Sequence, residues 1–178
     1  MIRTLAAVCL LAFAAIPAAN ADSKEELDAK VREAMTEFAK HTSAGAELAA
    51  KAKGVLVFPS VIKAGFGIGG EYGEGALQIR GATVDYYNIA SASIGLQLGA
   101  QARTQIVLFM TDEALRTFRD SKGWKAGVDG SVALATLGAG GTIDTKTAQE
   151  PIIGFIFSNK GLMYNLTFEG SKMTRIDK

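Results

Sequence analysis

Few side chains in this sequence are equipped for catalytic chemistry. His41 is the single imidazole and Cys9 the single thiol. One histidine can serve as a general base or cap a helix, but it cannot build a multi-histidine metal cage, and one cysteine cannot close an intrachain disulfide. His41 stands beside Thr42 and Ser43 between two helical stretches, with no G-x-S-x-G elbow to present a nucleophile. Glu71 and Glu74, three apart in an extended stretch, face opposite sides and do not form a carboxylate pair. Gly65-Phe66-Gly67-Ile68-Gly69-Gly70 matches G-x-G-x-x-G, yet Glu71-Tyr72-Gly73-Glu74-Gly75 follows where a dinucleotide fold would begin its helix. Gly138-Ala139-Gly140-Gly141 lacks the Lys-Ser/Thr of a phosphate loop and reads as a bend. These residues predict no enzyme, no metal and no cofactor.

Binding chemistry is better represented. Lys51, Lys53 and Lys63 bracket one apolar strand, with no acid between Glu47 and Glu71. Arg116, Arg119, Lys122 and Lys125 form a second basic run beside Trp124, broken by Asp120. Such cations hold phosphate-bearing lipid headgroups, and aromatic side chains suit the membrane interface. Lys51, Lys53 and Lys63 are therefore the candidate headgroup ligands, and Phe66 and Trp124 the candidate membrane contacts. Either basic run also fits a solvated charged face. Overall, 19 basic residues against 18 acidic exclude a strongly basic nucleic-acid binder.

The elements that must position these residues are legible from periodicity. Ser23 and Glu26 form a capping box, and Leu27, Val31, Ala34, Met35 and Phe38 follow on one face of a helix over 22–40. Acids outnumber bases there, which favours packing on the protein's own body over an interfacial membrane helix. A second helix is predicted over 46–53, stopped by Gly54. From Val55 the period becomes two. Strands are predicted over 55–58 (ended by Pro59), 66–72, 92–100, 105–110, 128–137, 152–158 and 162–169. Thr111 or Asp112 caps one more helix running toward Asp120. Without long helical crossovers the pairing is mainly antiparallel. Repeated glycine inside strands, among 20 in the chain, implies close-packed or strongly curved sheets. The predicted class is α+β: a β-rich, mainly antiparallel curved sheet or barrel-like core with N-terminal helices.

Residues 1–21 have the three parts of a secretory signal peptide. Arg3 precedes an apolar run from Leu5 to Ile16, Pro17 ends it, and Ala19-Asn20-Ala21 fits a cleavage site. The run is too short for a membrane span of ~18 residues. Cys9 lacks the flanking residues of a lipobox, so lipidation there is the less favoured reading. Residues 22–178 then form one domain, with a periplasmic or envelope location expected.

Several ordered segments resemble the SYLF domain family. Ala52-Lys53-Gly54-Val55-Leu56-Val57-Phe58-Pro59 with Val61–Phe66 is similar to its opening signature. Ile94–Gln101 and Val107–Thr111 match further in, and Gly161-Leu162 with Phe168–Ser171 resembles its closing strand. The resemblance implies a lipid-binding module akin to exported bacterial relatives. Its expected partner is an anionic phospholipid or membrane surface, without nucleic acid and without actin. A structural or protein-interaction module of the periplasm or outer membrane is the alternative.

Overall fold

The leader pattern and Cys9 lie outside the described residues, because the computed structural model describes 21–95, 100–163 and 166–178. The first helix, α1 (Lys24–His41), starts where the capping box places it. Ser23 Oγ accepts from the Glu26 amide at 3.2 Å, and Glu26 Oε2 accepts from the Ser23 amide at 2.9 Å. Two orphan helix donors are thereby satisfied. Leu27, Val31, Ala34 and Phe38 are buried, so the apolar face of α1 is spent on the body of the protein. Thr42 joins this helix to α2 (Ser43–Lys51). Its amide donates to Phe38 O at 3.0 Å, and its hydroxyl accepts from the Gly45 amide at 3.0 Å. One threonine thus ends α1 and starts α2, three residues before the predicted start.

The sheet is organised around β1 (Gly54–Ile79), which runs on through Pro59 instead of stopping there. Pro59 sits where the register with the neighbouring strand shifts between Phe58 and Val61, so its missing N–H costs no ladder bond. The first half of β1 pairs with β3 (Ala100–Phe109) and the second half with β2 (Ala82–Gly95), both antiparallel. On one flank β8 (Lys172–Ile176) pairs with β2, and β4 (Trp124–Lys125) with β8. On the other flank β6 (Ile152–Ser158) pairs with β3 and carries the short β5 (Ala133–Leu134) and β7 (Gly161–Leu162). Among the paired strands of the described residues, only β5 against β6 is parallel. The α3 helix (Asp112–Asp120) is capped by Thr111, and a short α4 (Thr145–Ala148) precedes β6.

Glycine lets β1 fold back on itself. A Cβ at Gly73 would lie 2.8 Å from Ser60 O, and one at Gly75 would lie 2.6 Å from Phe58 Cδ1. Near the bend, a Cβ at Gly65 would strike the Gly69 backbone. The strand-interior glycines predicted to serve curvature do so, and the sheet curls into a half-barrel. Leu56, Phe58, Leu77, Tyr87, Phe109 and Trp124 belong to one core. Val57, Ala76, Ile106, Leu108 and Phe155 pack beneath α1 in a second. The Tyr86 phenol donates to Asp28 Oδ2 at 3.0 Å, tying α1 to β2. At the far end of the chain, Lys178 Nζ donates to Asp22 O at 2.5 Å and to Glu74 Oε2.

Two predicted strands are corrected. Over 128–137 only Ala133–Leu134 is strand. Val128 lies in a turn in which Asp129 Oδ2 accepts from the Lys125 amide at 2.6 Å, with Gly127 at φ +84°. Over 162–169 only Leu162 is in a strand, while Tyr164 and Asn165 lie outside the described residues. The Phe168 ring fills the space over Gly154, drawing its loop into the core, and Gly170 at φ +83° turns the chain out again. The alternating run 92–100 begins in β2 and ends at the first residue of β3, with 96–99 outside the described residues.

Two outcomes follow. Gly75→Ala should destabilise the protein by about 1–3 kcal/mol in urea titration, the usual cost of overpacking. Burial, then Asp28, pushes the Tyr86 phenol up to about 12. The unfolded phenol ionises near 10. Its stabilisation is therefore complete below about pH 10 and is lost as pH rises through 12. Tyr86→Phe should remove that component from the alkaline stability profile.

Candidate membrane-contact site

The three candidate headgroup lysines do not converge. Lys51 ends α2, and Lys53 precedes β1, where its amine lies 3.8 Å from Asp112 Oδ2. Both are exposed. Lys63 lies ten residues beyond Lys53, about 30 Å away at ~3.3 Å per strand residue. Its Nζ is 3.6 Å from Glu71 Oε1, which also accepts from Arg103 Nη2. Lys63, Glu71 and Arg103 form a charged cluster that is largely enclosed between β1 and β3. A buried guanidinium is tolerable only because a carboxylate faces it.

The aromatic assignments also change. Trp124 is 2% exposed, with its ring 5.7 Å from that of Phe118 in an edge-on contact. It belongs to the core because β4 pairs Trp124 with the buried Met173 of β8, and Gly130 leaves room for the indole. Phe66 lies in β1, but its side chain is outside the described residues. In the second basic run, Arg119 Nη2 lies 3.0 Å from Asp85 Oδ2, and Arg175 Nη2 lies 3.4 Å from the same oxygen. Arg175 also donates to Arg119 O at 3.1 Å, so Arg119 sits in a surface network while Arg116, Lys122 and Lys125 are exposed. His41 packs on Phe157 at 5.7 Å and makes no side-chain hydrogen bond among the described residues. No helix there is long and apolar enough to cross a membrane, and no cluster of three metal-ligating side chains occurs among them.

The surface that residue types alone did not single out is the outer face of the glycine-rich tip. Ile68 is 77% exposed, and Ile62 and Tyr72 are each 50% exposed. Ala64, Ala90, Ala92 and Ala102 are exposed as well. Register places Ile62 opposite Ala102, Gly70 opposite Ala92 and Tyr72 opposite Ala90. These residues share one face, while Lys63, Glu71 and Arg103 occupy the other. This end of the sheet carries an apolar row outward, bordered by Glu74, whose Oε1 accepts from the Tyr72 hydroxyl at 3.2 Å, and sets the Lys63–Glu71–Arg103 charges on the other face. Alternation of Ile, Ala and Tyr with Lys, Glu and Gly marked two faces in the sequence but did not say which faced outward.

A family model described as Ysc84, Las17-binding protein actin regulator, matches residues 90–178. The chain belongs to this family, the SYLF family. No curated protein matches the chain. The SYLF match takes in β3, α3 and the closing strands, whereas β1, with Ile62, Lys63 and Ile68, precedes it. Of the three strands that make the tip, β1 thus precedes the matched region, β2 crosses its boundary and β3 lies within it.

Because Glu71 is what neutralises Arg103, Glu71→Ala should cost about 3–5 kcal/mol in chemical denaturation. Pairing that change with Arg103→Met should recover most of the loss.

Proposed function

We propose that this SYLF protein is an exported, non-enzymatic module that binds phospholipid surfaces of the cell envelope through the glycine-rich tip. The observation that carries the reading is the exposed apolar face of Ile62, Ile68 and Tyr72 backed by enclosed charges. Large apolar groups exposed together on a soluble protein mark an interaction surface. Fully burying an isoleucine is worth about 1.5–3 kcal/mol. Isoleucines that are 50% and 77% exposed and a half-exposed tyrosine therefore support weak, reversible docking rather than permanent anchorage.

Preference for anionic headgroups rests on Lys63 in this reading. It is the one candidate lysine at the tip, on the face of the sheet opposite the apolar row, and its amine has three donors. Glu71 Oε1 also accepts from Arg103, and Lys63 keeps 21% of its side chain exposed, so a phosphate that reaches around the rim of the tip can compete for its ammonium. Lys51 and Lys53, about 30 Å away along β1, lie beyond the ~8 Å Debye length from a membrane at the tip. The leader directs the chain out of the cytosol, so the reading includes no actin partner. Las17 binding and actin regulation stay with the family description.

Vesicle sedimentation tests this. The protein should pellet with phosphatidylglycerol-containing vesicles more than with phosphatidylcholine vesicles, and high salt should reduce the bound fraction without abolishing it. Ile62→Ser with Ile68→Ser should lower the apparent affinity at least tenfold. Lys63→Ala should erase the headgroup preference, while Lys51→Glu with Lys53→Glu should change binding less than twofold. Full loss in the latter pair would move the docking face to the α2–β1 junction. Absence of vesicle binding altogether would favour an envelope interaction module.

A further inference from the structure

At the opposite end of β1, α1, α2 and the β1–β2 turn enclose an apolar trough of about 320 Å³. Its walls come from Met35, Phe38, Ala49, Ala52 and Val55, and its polar lining from Gln78 and Arg80. The alanines of α2 keep it open, since larger apolar side chains at those positions would fill it. Other depressions on the surface are lined by Glu33 and Glu37, by Glu74, or by Asp112 and Asp120. No carboxylate lines this one.

Arg80 is the second observation. It stands at φ +53° and Gly81 at φ +79°, in the two-residue turn that joins paired Ile79 and Ala82. Turns of this type favour Asn or Gly at the first central position, because a larger L side chain is strained there. Among the described residues Arg80 is the only non-glycine with positive φ, and it makes no ion pair or side-chain hydrogen bond among them. A strained, unpaired guanidinium against an uncharged trough is complementary to an anionic head on an apolar tail. Exposed Lys51 sits between Ala50 and Ala52, adding positive charge beside the same trough.

We infer that the trough binds one long-chain fatty acid anion, with its chain against Phe38 and Ala49 and its carboxylate on Arg80. The volume is near the lower end of the ~300–1,000 Å³ range of ligand sites, which suits one chain rather than the two of a phospholipid. This site is separate from the tip, so it stands or falls independently of vesicle docking.

Calorimetric titration of the full protein with laurate, dodecanol and dodecyltrimethylammonium, all below their micelle-forming concentrations, tests it. Laurate should bind one to one, with the other two at least tenfold weaker. Ala49→Trp should abolish laurate binding while leaving vesicle sedimentation unchanged. Arg80→Gly should weaken laurate about tenfold yet raise Tm, because glycine relieves the positive φ. A role confined to the turn's structure would leave laurate affinity unmoved. Equal affinity for laurate and dodecanol, or laurate binding that survives both Ala49→Trp and Arg80→Gly, would overturn the assignment. So would loss of laurate binding in the Ile62→Ser, Ile68→Ser variant, which would place the chain at the tip.

Discussion

The close approach of one half of β1 to the other is the constraint on which the remaining architecture depends. Val57–Val61 and Gly73–Gly75 meet with no space for a Cβ on the glycine side. That approach lets one strand hold β3 along its first half and β2 along its second, so a single sheet curls without a helical crossover. Glycine in a strand ordinarily weakens it through lost packing and added chain entropy. Here the absent side chain is what permits two backbones to pack, and the apolar rows from Leu56 to Val61 and from Leu77 to Ile89 then bury one another.

The same fold-back divides the molecule into two chemically distinct ends. Near Gly54 and Ile79 the sheet is covered on both faces, by α1 and α2 on one side and α3 on the other. Toward Gly65–Gly69 the helices no longer cover the sheet, and the outward row becomes Ile62, which borders a depression shared with Lys30 of α1, then Ala64 and Ile68. Charges that would be solvated on an ordinary sheet lie inside, where Glu71 faces both Arg103 and Lys63 and Arg103 Nε is left without a partner among the described residues. The positive charges that appear as neighbours in sequence are thus assigned to different neighbourhoods, Lys63 to the tip and Lys51 to the helical end.

Local chemistry carried most of the helices. The Ser23–Glu26 box, the Thr111 cap and the apolar row of α1 are each decided within a few residues, and each appears where spacing places it. The strand 152–158 was equally clear, because its continuous apolar run has no competing turn signal. Decisions made by distant partners were not legible. Pro59 reads as a stop until a register shift absorbs it. Val128–Leu137 has strand composition, but Gly127, Asp129 and Gly130 impose a turn. Trp124 beside basic residues looks interfacial in one dimension, yet the pairing of β4 with β8 turns it into the core. The tip was visible as an alternation without a sign, since only the coverage of each face fixes which side meets solvent.

The contact of Lys178 with Asp22 and Glu74 joins the first and last stretches of the described residues in one place. Topologically the described body is a ring closed by a non-covalent clasp, with both ends of that clasp meeting at Glu74 in the second half of β1. A circular permutant that links residue 178 to residue 22 by a short peptide and opens the chain at the exposed Gly140–Gly141 bend would keep every pairing of the sheet. The order in which the strands are synthesised is therefore separable from the shape they adopt.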